Sequence, residues 1–210
     1  MMRELRKNAL VEEFDHNLLM DCLKSYSQPY KKVTRLLASE DIIRVKKGLY
    51  VFGEEYAKEP YSTEVLANLI YGPSYISLEF ALSWYGLIPE RVYTVTSMTT
   101  RKNKLFKTPV GRFSYKYLNP KKYSVSVDLI ALSEHRNVLM ATKEKALCDF
   151  ISQQKGFTNL QDMSDFLFEN MRIDPEIFYT LRKAELKKIN RAYKSNSIEL
   201  LITLRNKNDE

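Results

Sequence analysis

A chain of 210 residues with 44% hydrophobic and 12% aromatic side chains carries enough apolar mass for a packed core, which excludes a disordered polymer and leaves room for one large domain or two small ones. A formal net charge of +7 favours an anionic partner, of which nucleic acid is the commonest. No apolar run approaches the ~18 residues of a membrane-spanning helix, so no membrane partner is predicted.

The opening MMRELRKNALVEEF is charged throughout and lacks the apolar stretch of a secretory leader, so the cytoplasm is the expected compartment. Residues 3–13 read as a short helix. Asp15 is a good N-cap for a second, HNLLMDCLKSY, in which Leu18, Leu19, Cys22 and Leu23 share a face. Ser27 and Gln28 break it. Pro29 suits the first position of a third helix running to about Ser39, because its missing N–H is no loss there. Val33, Leu36 and Leu37 form its apolar stripe. IIRVKKGLYVFG then reads as a hairpin, with Gly48 at positive φ in a Lys46-Lys47-Gly48 turn. Helices followed by a basic-tipped hairpin match the winged variant of the helix-turn-helix.

Residues 54–62, acidic and ending in KEPYS, read as a linker. Thr63 can cap a helix to about Ile70, YGPS breaks it, and Ser77 can cap another that Gly86 ends. VYTVTSM is rich in β-branched residues and reads as a strand. GRFSYKYL alternates, with Phe113, Tyr115 and Tyr117 on one face and Arg112, Ser114 and Lys116 on the other, as a half-buried strand with a basic outer face does. SVSVDLIAL and NVLMA read as two further strands. Thr142 caps KEKALCDFIS, which turns Ala146, Leu147 and Phe150 inward. Two or three helices follow between Leu160 and Leu204, and the last charged residues are expected to fray. The predicted fold class is α+β, with an N-terminal winged helix-turn-helix over residues 1–55. A larger mixed α+β domain with a small sheet and C-terminal helices then fills residues 56–210.

Charge is unevenly spread. Residues 53–90 carry Lys58 against six acidic residues, whereas residues 91–127 carry nine basic residues and no carboxylate. Ordinary solvated surfaces mix signs, so the second stretch is a candidate surface for nucleic acid or an acidic partner. Arg101, Lys102, Lys104, Arg112 and Lys116 are its foremost candidates. A packing partner of opposite sign within the chain is the alternative.

Catalytic chemistry finds little footing. The six glycines are scattered and form no phosphate-cradling loop, and His16 and His135 stand apart from any metal-ligand spacing. Cys22 and Cys148 are isolated and read as buried thiols. No enzyme activity, metal or cofactor is predicted.

The DNA-binding reading rests on residues 27–48. Ser27, Gln28, Tyr30, Lys31, Lys32, Thr34 and Arg35 lie on or just before the third helix, and Arg44, Lys46 and Lys47 lie on the hairpin. A helix fits the major groove, and a basic hairpin beside it reaches the neighbouring backbone or minor groove. Arg35 suits bidentate contact with guanine, and the lysines suit phosphates. Neutralising six phosphates gives a salt slope of about −5 in log K.

Four segments resemble the AbiEi-type antitoxins of bacterial and phage-defence toxin–antitoxin systems: DIIRVKKGLYVFG, STEVLANLIYGPSYISLEFALSWYGLIPERVYTVTSMTTRK, FKTPVGRFSYKYLN and ATKEKALCDFIS. That resemblance implies an N-terminal winged helix and a larger antitoxin domain. It further implies repression through inverted repeats in double-stranded operator DNA, and a cognate toxin of the nucleotidyltransferase class. Two other readings stay open: a winged helix that docks a protein partner, and a solitary transcriptional regulator.

Overall fold

The computed structural model describes residues 1–207; the last three residues, where fraying is predicted, lie outside these. α1 (Met2–Asn8) ends well before residue 13, and β1 (Glu13–Asp15) follows it. Long-range pairing explains the early stop. Glu12 and Glu13 are buried, with Arg6 Nη1 2.7 Å from Glu12 and Arg136 Nε 3.3 Å from Glu13. Phe14, between them and α2, packs against the rings of Tyr50 and Phe52.

Local signals set the next elements. Asp15 accepts a hydrogen bond from the Leu18 N–H and starts α2 (His16–Asp21). Pro29 opens α3 (Pro29–Ala38). Gly48, at φ +86°, turns β2 (Ile42–Lys46) into β3 (Leu49–Phe52). A three-stranded antiparallel sheet of order β1-β3-β2 results. At Gly53 a Cβ would meet the Glu40 carbonyl oxygen at 1.7 Å, so this close approach admits only glycine.

Residues 54–62 hold no helix or strand, yet they are not a loose tether. The Lys58 and Ser62 N–H groups donate to Glu12 and Glu13, and Arg136 reaches the Pro60 carbonyl at 3.1 Å and Glu59 at 2.9 Å. Ser62, rather than Thr63, caps α4 (Thr63–Ile70) through the Val65 N–H.

The remainder is mixed α+β. β4 (Ser74–Ile76) occupies a stretch that reads as a mere break, and α5 (Leu78–Trp84) follows it. Then come β5 (Thr94–Thr99), β6 (Lys104–Thr108), β7 (Gly111–Tyr117), α6 (Pro120–Tyr123), β8 (Val127–Ser133) and β9 (Arg136–Ala141). α7 (Lys143–Ser152) starts at its Thr142 cap. α8 (Leu160–Asp165) runs into a π-helical turn, Phe166–Asn170, ahead of α9 (Pro175–Tyr179), α10 (Lys183–Tyr193) and α11 (Asn196–Asn206). Four α-helices thus follow Leu160 among the described residues, against the two or three that periodicity suggests. The second sheet has the order β6-β7-β5-β4-β9-β8, with β5–β7 and β4–β9 parallel and the other pairs antiparallel.

Two apolar clusters form. The smaller gathers Leu5, Phe14, Leu19, Leu23, Leu36 and Phe52 with their neighbours. The larger spans the second sheet and the helices around it, and it also takes Val45, Leu49 and Val51 from the hairpin. The hairpin is therefore a wall common to both cores.

A polar knot lies inside the larger core. Asp149 on α7 accepts hydrogen bonds from Tyr75 Oη (2.8 Å), Ser77 Oγ (2.7 Å) and Tyr193 Oη, and Lys145 Nζ stands 3.5 Å away. Lys145 also donates to Tyr193 Oη and to the Lys122 carbonyl. Ser77 sits at the N-cap of α5, but its hydroxyl serves Asp149 and makes no cap bond. Burial pushes Lys145 down, opposed by the Asp149 charge, and pushes the Tyr75 and Tyr193 hydroxyls up. Cys148, beside this knot, and Cys22 are both buried free thiols, and burial raises Cys148.

Candidate nucleic-acid interface

α3 buries Val33 and Leu36 against the smaller core. At 100° per residue this sends Lys31 and Arg35 to the outermost face and Tyr30 and Thr34 to the flank that looks at the hairpin. Ser27, Gln28, Tyr30, Lys31, Thr34, Arg35, Arg44 and Lys47 are all exposed, and Lys32 is half-buried. Gln28 occupies the N-cap position without a side-chain cap bond. The Thr34 hydroxyl donates to the Tyr30 carbonyl one turn back.

A hollow of about 480 Å³ separates α3 from the hairpin. Tyr30 and Thr34 line it from the helix, and Arg44, Lys47 and Gly48 from the hairpin. Among the described residues no carboxylate lines it. Among the described residues none of Lys31, Lys32, Arg35, Arg44 and Lys47 makes an ion pair. Concentrated cations without internal counter-ions are stabilised by an external anion.

His16, which sequence reasoning sets aside, also lines this hollow. Its ring stacks on Tyr30 with centroids 6.5 Å apart, and its backbone N–H donates to the Gly48 carbonyl. The only sequence signal for that placement is its position directly after the Asp15 cap.

Lys46 departs from its predicted role at the hairpin tip. Its ammonium donates to the Leu69 carbonyl at 3.0 Å and to the Ile70 carbonyl, closing the C-terminus of α4. A register shift between Arg44 and Lys46 re-aims the side chain toward α4. Burial and then the nearby Arg101 charge lower its pKa. Lys46 is half-buried and committed within the chain, whereas Lys47 is exposed.

The second basic set divides in two. Arg101, Lys102, Lys104, Arg112 and Lys116 are all exposed. Arg101 lies over the Tyr71 ring at 5.7 Å, beside Lys46, and Lys104 lies over Phe106. Both stand on the side of the sheet covered by α4, where Tyr115 Oη donates to the Ala67 carbonyl. Arg112 and Lys116 share the opposite face with Thr96, whose hydroxyl accepts from the Phe80 N–H of α5. One surface therefore cannot use all five.

No group of acidic, cysteine and histidine side chains among the described residues could hold a metal, and no helix there is long and apolar enough to cross a membrane. No family model and no curated protein matches the chain.

Proposed function

We propose that residues 1–55 are a winged helix that binds duplex DNA, with α3 in the major groove and the β2–β3 hairpin as the wing. In this reading residues 56–210 form the antitoxin domain. The chain is an antitoxin and transcriptional autorepressor of the AbiEi type, acting against a nucleotidyltransferase-class toxin. The observation that carries the DNA reading is the hollow between α3 and the hairpin, which among the described residues no carboxylate lines and whose edging cations make no ion pair. The four segment resemblances support the antitoxin reading.

Arg35 on the outer face of α3 is the base reader, because its planar fork matches guanine O6 and N7. Lys31, Lys32, Arg44 and Lys47 hold phosphates and set the register. Arg101, standing beside Lys46 at the foot of the hairpin, carries the basic track onto the larger sheet.

A gel-shift assay with the DNA upstream of the chain's own gene tests the reading. Wild type should retard that duplex at concentrations that leave a shuffled duplex free. Arg35→Ala, with an unchanged circular dichroism spectrum, should lose about 1–3 kcal/mol of discrimination. Equal retardation of both duplexes by wild type and variant would remove α3 as the reading element. Co-expression of the full chain with the neighbouring open reading frame tests the antitoxin half. Growth that the full chain fails to rescue counts against it.

A further inference from the structure

We propose a second binding site, for a nucleotide, free or as one unit of a single-stranded nucleic acid, at the end of the larger sheet where α4, α5, β5 and β7 meet. It shares no residue with the winged-helix face, so it stands or falls separately.

Two hollows of about 440 and 370 Å³ share Thr63 and Tyr93 as common walls. Trp84 and Tyr93 edge the first, and they are 45% and 79% exposed. Neither ring contacts another ring among the described residues. Two large aromatic faces left open in a concavity suit a flat ring that stacks on them.

The charges around them fit the rest of a nucleotide. The Arg91 guanidinium lies 5.3 Å from the Tyr93 ring centroid and lines the same hollow. Arg112 lines the adjoining one. Both are exposed, and neither makes an ion pair among the described residues. Aromatic platforms flanked by arginines are how single strands are held, with bases stacked and phosphates neutralised. One carboxylate, Glu64, faces the first hollow. The Ser62 hydroxyl donates to it at 2.8 Å, and its remaining acceptor capacity suits an amino group on a base edge. A bare polyphosphate would leave both rings unused.

Trp84 is the chain's only tryptophan, so its fluorescence reports directly on this cleft. The full chain is titrated at low salt with GMP, AMP, a single-stranded octadeoxynucleotide and pyrophosphate. Saturable quenching is expected with a mononucleotide, with the octamer, or with both. Quenching by mononucleotides alone assigns a free nucleotide, and quenching by the octamer alone assigns a single strand. Tyr93→Ala and Arg91→Ala, at exposed positions and with circular dichroism unchanged, should each weaken binding about tenfold. Arg35→Ala/Lys47→Ala should leave it unaltered, even if duplex binding is lost or never existed. Three results overturn the proposal: no quenching by any nucleotide or by the octamer up to millimolar concentration, equal quenching by pyrophosphate, or wild-type affinity in Tyr93→Ala/Arg91→Ala.

Discussion

Replacing Lys47 by alanine should flatten the salt dependence of duplex binding, whereas replacing Lys46 should leave that dependence intact and lower stability. With Lys46 bound to the α4 carbonyls and Arg35 assigned to a base, four cations remain for phosphates: Lys31, Lys32, Arg44 and Lys47. Each neutralised phosphate contributes about −0.9 to the slope of log K against log salt, so the expected slope is about −3.6. Affinity should then fall roughly 150-fold between 50 and 200 mM salt. Lys47→Ala should bring the slope to about −2.7. Lys46→Ala should keep it near −3.6, while the uncapped C-terminus of α4 lowers unfolding free energy by about 1–2 kcal/mol. Fluorescence anisotropy of a labelled operator duplex at several salt concentrations reads the slopes, and urea titration reads stability. A Lys46→Ala slope as shallow as that of Lys47→Ala, at wild-type stability, would refute the assignment of Lys46 to α4.

Two further perturbations probe the larger core. Asp149→Ala strands the Lys145 ammonium and the hydroxyls of Tyr75, Ser77 and Tyr193, all essentially without solvent. Breaking such a buried pair should remove about 3–5 kcal/mol in urea titration, and a loss under about 1 kcal/mol would mean that the knot is already hydrated. The second concerns Glu144, which is fully buried. Burial pushes its carboxyl up, but hydrogen bonds from Arg182 outweigh this and hold it below the ordinary value of 4.5. Its contribution is therefore fully present above pH 4.5 and fades as pH falls through the lower folded value. In Arg182→Gln the guanidinium is gone and burial gains the upper hand. The stability gap between the two proteins should be widest at neutral pH and narrow below pH 4.5. A gap that stays constant from pH 7 to pH 4 contradicts this account.

How far the sequence announces this structure depends on how far away the deciding partner lies. α2, α3, the hairpin turn and α7 follow from Asp15, Pro29, Gly48 and Thr142, each acting within a turn or two of chain. β1 is illegible locally, because the burial of Glu13 depends on Arg136, 123 positions on. β4 has three residues, all buried between β5 and β9, and too short a run to show a period. The candidate site divides the same way. The exposed face of α3 follows from its apolar stripe. The redirection of Lys46 needs both a register shift in the hairpin and carbonyls supplied by α4. Arg101 and Arg112 read as one basic stretch, yet the sheet places them on opposite sides.

The hairpin's double allegiance has a consequence for geometry on DNA. Val45, Leu49 and Val51 are embedded in the larger core, and Lys46 is latched to α4. A duplex seated on the wing, as proposed, would thereby fix the heading of the whole sheet, with no swivel to absorb an error. Two copies on an inverted repeat would meet at a distance dictated by the fold, so the chain would work as a gauge of operator length. Inserting about five base pairs between half-sites turns one copy to the far side of the helix, and nothing in the hairpin could bend to bring it back.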